Sequence, residues 1–256
     1  MEQFPKQKFT LAHQFDSGNK EYASFIENDP IRNFLHYPAV MKELGEIRGQ
    51  RILDIGCGEG LFDRKLAKEY GGKVVGYDIS PNLISKAKEK EKEEPLGVEY
   101  HLSDPEHFSS PEQFDNAVAV MVLPYSPSPE YLKKFFVSAE QNLKKDGKFI
   151  AVVFNPEFKE FDQKIGNRFF RASEEGKVNF DFLDLQTGEV KFNAMLAQFP
   201  KKNYEDAARE SGLEIEWKKL FPIKEGINNL GEEFWKKLAD RQPYALIVAK
   251  PEASDD

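Results

Sequence analysis

The chain has 256 residues, enough for one large domain with a lid or cap and too few for two full domains. With 40% hydrophobic residues a substantial core can form, which excludes wholesale disorder. The net charge of −8 argues against a non-specific nucleic-acid or anionic-membrane binder, and the single cysteine, Cys57, excludes an intrachain disulfide and a cysteine-cluster metal site.

Met1 to Thr10 is polar and no apolar run follows, so no export signal is expected. No stretch approaches the ~20 apolar residues of a membrane span. A soluble cytoplasmic protein is the expectation. Residues 1–50 read as an amphipathic helical lid. Asn28-Asp29-Pro30 is a helix start, and Ile31, Phe34, Val40, Met41 and Leu44 follow at helical spacing, with Pro38 expected to interrupt the run.

From Arg51 strands and helices alternate. Arg51–Ile55, Val74–Tyr77, Val98–Leu102, Phe114–Leu123 and Lys148–Phe154 read as strands. Leu61–Tyr70, Pro81–Lys92 and Pro129–Leu143 read as helices, the last ended by Asp146-Gly147. This order predicts an α/β, doubly wound, mostly parallel seven-stranded sheet of Rossmann-like type. Lys177–Leu185 and Val190–Phe199 break the alternation and form a hairpin across Gln186-Thr-Gly188, so residues 155–200 read as an inserted β-rich cap. The core then comprises residues 51–154 and 201–251, the latter with strands Glu214–Leu220 and Tyr244–Ala249 and helices Tyr204–Glu210 and Phe234–Arg241.

The chemistry-bearing segment is Ile52-Leu-Asp-Ile-Gly-Cys-Gly-Glu-Gly60, an apolar strand running into a glycine-rich turn and a helix. Glycines there let the backbone turn tightly and approach a ligand at the carboxyl end of the strand. Asp78 ends the next strand, where a carboxylate can accept from ribose hydroxyls. A dinucleotide fingerprint would want its third glycine at Leu61; here it comes one residue early, at Gly60. Asp54 would repel a pyrophosphate and attract the ammonium of an amino-acid moiety.

Ile52–Gly60, Val74–Ser80, Ser103-Asp104, Phe114–Leu123 and Leu143–Phe154 together resemble the successive motifs of class I S-adenosylmethionine-dependent methyltransferases. The flanking Asp29-Pro-Ile-Arg-Asn, His36-Tyr-Pro-Ala, Pro95-Leu-Gly-Val-Glu-Tyr and Val153-Phe-Asn-Pro156 are similar to the toxoflavin synthase type of small-molecule N-methyltransferase. The resemblance implies S-adenosyl-L-methionine as cofactor. It implies that Asp54 reaches the cofactor's amino group and that Gly56, Cys57, Gly58 and Gly60 lie against its methionine and ribose. Asp78 would hold the ribose diol, Ile79 would pack on the adenine, Asp104 would contact the adenine amino group, and Ser103 would belong to the same cofactor-binding set. Met121 would edge the methyl pocket and Tyr22 the methionine end.

Candidates near the acceptor are His36, Tyr37 and Tyr125, with no assigned base; a nitrogen acceptor needs none, whereas a hydroxyl would. The four histidines lack metal-ligand spacing, and Met121-Val122 is apolar where metal-dependent oxygen methylators carry an acid, so no metal is expected. Competing readings are an NAD(P)-dependent oxidoreductase and a cofactor-binding protein without turnover. The expected partner is a small, aromatic or heteroaromatic acceptor, with no nucleic acid and no membrane; the chain could be a monomer or homodimer. Of 22 phenylalanines, five lie in residues 1–50 and nine between Phe154 and Phe199. They either form the core of lid and cap or line a dry acceptor pocket.

Overall fold

The computed structural model describes residues 25–171 and 176–251. Asp29 precedes the helical backbone that Pro30 starts, and Asn33 N–H donates to the Asp29 carbonyl. A π-helical turn, Arg32–His36, then runs directly into α1 (Tyr37–Leu44). Pro38 does not interrupt this helix. In the widened turn Tyr37 N–H reaches back to the Arg32 carbonyl, and Pro38 falls at the first positions of α1, where a missing N–H is tolerated.

After α1 come β1 (Arg51–Ile55), α2 (Leu61–Tyr70), β2 (Lys73–Asp78), α3 (Pro81–Glu93), β3 (Glu99–Leu102), β4 (Phe114–Val120), α4 (Pro129–Asn142) and β5 (Leu143–Phe154). Then follow β6 (Gln163–Ile165), β7 (Arg168–Arg171), β8 (Lys177–Leu183), β9 (Val190–Ala197), α5 (Lys201–Arg209), β10 (Leu213–Lys219), α6 (Lys224–Arg241) and β11 (Tyr244–Pro251). The seven-stranded sheet has the order β10-β11-β5-β4-β1-β2-β3. Strands β1 to β5 pair in parallel, and β11 enters antiparallel to both β5 and β10. The strand order reverses between β1 and β4, which opens a crevice at their carboxyl ends.

Side chains alternate across this sheet. Ile52, Val74, Val118, Ile150, Val152 and Leu246 face one apolar cluster; Leu53, Val75, Ala117, Ala119, Ala151 and Ile247 face the other. The second cluster is closed by α4 and α5 through Phe135, Phe136 and Tyr204. The first is closed by α1 and by a separate antiparallel sheet of order β6-β7-β8-β9. Phe154, Phe158, Phe170, Phe180 and Phe182 are all buried in that cluster, with successive rings in contact.

Several boundaries differ from the sequence reading; β4 ends at Val120 rather than Leu123, where the chain turns. Strand β5 begins at Leu143 rather than Lys148, because Leu143 pairs with Phe114 ahead of a bulge whose extra residues lie in β5. Helix α6 begins at Lys224, ten residues before Phe234, and bends where Gly231 takes φ 79°. Among the described residues no helix is long and apolar enough to cross a membrane.

Candidate functional site

The turn after β1 is built on glycines at positive φ: Gly56 (76°), Gly58 (59°) and Gly60 (75°). Gly56 and Cys57 both donate to the Tyr77 carbonyl, which ties the turn to the end of β2. Two of these glycines are also required for space. A Cβ on Gly56 would stand 2.4 Å from a Val122 methyl, and one on Gly60 would stand 2.1 Å from the Tyr100 hydroxyl. The backbone therefore lies flat against the crevice floor, where a ligand can reach it.

Asp78 braces this loop. One carboxylate oxygen accepts from Gly58 N–H at 3.0 Å, the other from Ser80 N–H at 2.9 Å. Ser80, not Asp78, caps α3 by accepting from Leu83 N–H at 3.3 Å.

A cleft opens above the loop. Asp54, Gly56, Cys57, Gly58, Asp78, Ile79, Met121, Tyr37 and Tyr125 all line it, so the fold brings most of the sequence candidates to one place. Met121 turns the chain at the end of β4 with φ 58°, its N–H still held by the Val152 carbonyl at 2.9 Å. On the Asp78 side the walls are Ile79, Leu83, Pro105, Tyr131 and Phe135, an apolar slot fit for a flat base. On the Asp54 side they are Ile26, Arg32, Tyr37 and Phe62, with Tyr37 and Phe62 stacked at 4.4 Å.

Electrostatics differ along the cleft. Burial, with Asp78 nearby, pushes Asp54 up to about 6, against the pull of Arg32 and a hydrogen bond from Asp63. Burial also raises Asp63 well above the usual carboxylate range, with Asp54 next in effect. The Cys57 thiol is raised by burial and then by Asp63, Asp78 and Asp54, so it is neither a nucleophile nor a redox centre at neutral pH.

Four sequence candidates stand elsewhere. His36 is 2% exposed, packs edge-on against Tyr244 at 4.5 Å and does not reach the cleft. Burial pushes it down to about 3, so it is a neutral core imidazole rather than a base. Asp104 is a turn residue. Its Oδ1 accepts from the Glu106 and His107 amides at 3.0 and 3.1 Å and meets His107 Nδ1 at 2.7 Å. The neighbouring Pro105, rather than Asp104 or Ser103, lines the cleft. Gly60 serves through the space it leaves for Tyr100. Tyr22 lies outside the described residues.

Asp104, Glu106 and His107 bring one ligand atom each within 4.8 Å. Asp104 is engaged as above and Glu106 pairs with Lys134, so the group reads as a capped turn. None of the nine phenylalanines from Phe154 to Phe199 lines the cleft; among the described residues those that do are Phe62 and Phe135. Six of those nine, Phe154, Phe158, Phe170, Phe180, Phe182 and Phe199, are buried core; Phe4, Phe9 and Phe15 lie outside the described residues.

Sequence reasoning missed Arg32, Tyr131 and Asp63. Arg32 could have been found from its place two residues after the helix-starting Pro30, and Tyr131 from its place three residues after the α4 cap Ser128.

Residues 52–147 match the family model described as a methyltransferase domain. Over 116 residues the chain is 32% identical to a ubiquinone biosynthesis O-methyltransferase of Coxiella burnetii, covering 45% of this chain and 48% of that protein. The chain thus spans about half the length of the curated relatives it matches. Two solved structures share the fold along most of its length. One is a S-adenosylmethionine-dependent methyltransferase from Clostridium acetobutylicum ATCC 824, with TM-score 0.57 and 17% identity over 94% of this chain and 95% of that one. The other is a 1,6-didemethyltoxoflavin-N1-methyltransferase from Burkholderia thailandensis, solved with 1,6-didemethyltoxoflavin and S-adenosylhomocysteine bound. Its TM-score is 0.60 at 14% identity, over 99% of this chain and 93% of that one.

Proposed function

We propose that this chain, which carries a methyltransferase domain on the fold of S-adenosylmethionine-dependent enzymes, methylates a nitrogen of a small heteroaromatic molecule. The observation that carries the cofactor reading is the flat glycine turn between two carboxylates, Asp54 and Asp78. The residues present fit the group. Asp78 offers lone pairs to a ribose diol, the slot of Ile79, Leu83, Tyr131 and Phe135 suits adenine, Asp54 suits an ammonium and Arg32 a carboxylate. When bound, S-adenosylmethionine supplies an electrophilic methyl group on a sulfonium. What remains for the chain is to hold the acceptor in line and to exclude water.

Met121, Tyr37, Phe62 and Tyr125 give the acceptor end an aromatic and thioether wall. Among the described residues no histidine lines the cleft, and Glu59 is paired with Lys86 and Lys90. Burial and neighbouring carboxylates hold the Tyr37 hydroxyl above its usual value, so it is a poor base. The lack of a base among the described residues favours a neutral ring nitrogen, which needs no proton removed before attack. Residues 1–50 would act as lid and 155–200 as cap. The test is isotopically labelled S-adenosylmethionine with a panel of heteroaromatic amines and phenols. Label on nitrogen supports the reading; label on oxygen alone refutes the acceptor class. Binding of NAD(P) without binding of S-adenosylhomocysteine refutes the cofactor.

A further inference from the structure

Asp63 sits in the first turn of α2, beneath the glycine loop, with 0% of its surface exposed. Neither carboxyl oxygen receives a hydrogen bond from any amide or cation among the described residues. Room for it is made by Gly76 of β2: a Cβ there would stand 2.6 Å from Asp63 Oδ2 and 2.8 Å from the Cys57 sulfur. The groups facing it are Asp54 on β1, Cys57 on the loop, Asp78 at the end of β2 and the Tyr100 hydroxyl on β3. Arg32, from the π-turn, acts on Asp54 from the cleft side.

Two touching carboxyl groups in a dry site do not both ionise. Asp54 lines the cleft and can be paired there; Asp63 does not reach it. An ionised Asp63 would be a buried charge with no cation and only the weak Cys57 thiol donor beside it, whereas a protonated one has a donor to give and Asp54 to receive it. We propose that Asp63 is a positioning residue: it stays a neutral acid, donates its O–H to the Asp54 carboxylate from below, and so aims that carboxylate at the ammonium of the cofactor's methionine. This rests on the cofactor reading above. The raised values of both acids agree with a single shared proton.

The test compares wild type, Asp63→Asn and Asp63→Leu by calorimetric titration with S-adenosylhomocysteine across pH 5–8, and with 5′-methylthioadenosine, which lacks the amino-acid portion. Asparagine keeps an N–H donor, so D63N should keep the wild-type affinity and acid limb. Leucine removes the donor, and the acid limb should move up by about one pH unit, with roughly tenfold weaker S-adenosylhomocysteine binding near pH 6. Affinity for 5′-methylthioadenosine should be unchanged in both variants. A limb that moves down in D63N means Asp63 was an ionised repeller and overturns the proposal; equal losses for both ligands mean general damage and overturn it too. Infrared spectra of the ligand-free protein supply an independent readout. A protonated carboxyl band at neutral pH should vanish in D63N, and its absence from wild type overturns the proposal without reference to any ligand. Wild-type protein that shows the band but binds neither ligand refutes the cofactor reading, and with it the aim assigned to Asp54, while leaving the neutral Asp63 in place.

Discussion

The buried ion pair between Asp29 and Arg168 joins the cleft-bearing N-terminal segment to the four-stranded sheet. Arg168 donates to Asp29 Oδ2 at 2.6 Å, Asn167 donates to Oδ1 at 3.3 Å, and the guanidinium lies 4.0 Å from the centre of the Phe182 ring. The side chains are 2% and 0% exposed. Burial alone would raise the Asp29 carboxyl, but the Arg168 charge and hydrogen bond hold it below its usual value. Removing one partner leaves the other charge buried and unpaired, which costs about 3–5 kcal/mol. For a chain of this size that corresponds to a fall in Tm of roughly 6–20 °C. Asp29→Asn and Arg168→Met should each show this loss in urea and thermal unfolding at pH 7.5. The double variant has no buried charge, and should recover most of it, with a coupling above about 2 kcal/mol. Both single variants should also weaken S-adenosylhomocysteine binding, because Ile26, Arg32 and Tyr37 belong to the same segment. Losses that simply add in the double variant would refute the latch.

Other outcomes follow from the same geometry. Gly56→Ala places a methyl group against Val122 at positive φ; it should lower stability by roughly 2–4 kcal/mol and weaken cofactor binding, read by thermal shift and titration. Asp54 titrates higher in the fold, about 6, than its ordinary 3.8, so the folded protein holds more protons between those values. The pair therefore weakens the apoprotein above pH 6, and the penalty fades as pH falls towards 3.8. An ammonium-bearing ligand offsets it, so S-adenosylhomocysteine should raise Tm more at about pH 7.5 than at about pH 5. His36 has the opposite sign: its value falls from 6.5 to about 3 on folding, so its stabilising effect is present above pH 6.5 and lost below it. By pH 5 that loss is about 2 kcal/mol, and His36→Leu should shift acid unfolding to lower pH. Tyr125→Ala should raise the acceptor KM several-fold and leave S-adenosylhomocysteine affinity unchanged, measured by initial rates and titration.

The sheet and the loop were legible in the sequence because their signals are local. An apolar strand, a glycine turn and a helix stand within about twenty residues, and the same unit sets the Asp54 and Asp78 positions. What was not legible depends on partners far along the chain. Lys144-Lys145-Asp146-Gly147 looks like a helix end, yet it continues β5, since Lys144 pairs with Asp115 across the bulge. His36 in a polar-looking stretch became core because Tyr244 of the last strand covers it. Nothing in the local sequence marks Asp63 as a buried acid; the missing side chain of Gly76, on a different strand, makes room for it below the loop. The phenylalanine surplus was visible as a count, but whether a ring faces a cleft or a core is settled by the sheet stacked behind it.

Cys57 is the chain's single cysteine, and its sulfur lies between Asp63 and β2 beneath the glycine loop. Its thiol is held protonated by burial and by the acidic side chains around it. The protein therefore carries its own clock for the loop. A neutral thiol reagent reaches that sulfur more readily when the turn lifts off β2, so the alkylation rate reports openings of a segment whose bonds to Tyr77 otherwise keep it shut. A ligand seated on the glycines should slow that clock, and the ratio of the two rates gives the free energy with which occupancy closes the loop, without any label foreign to the chain.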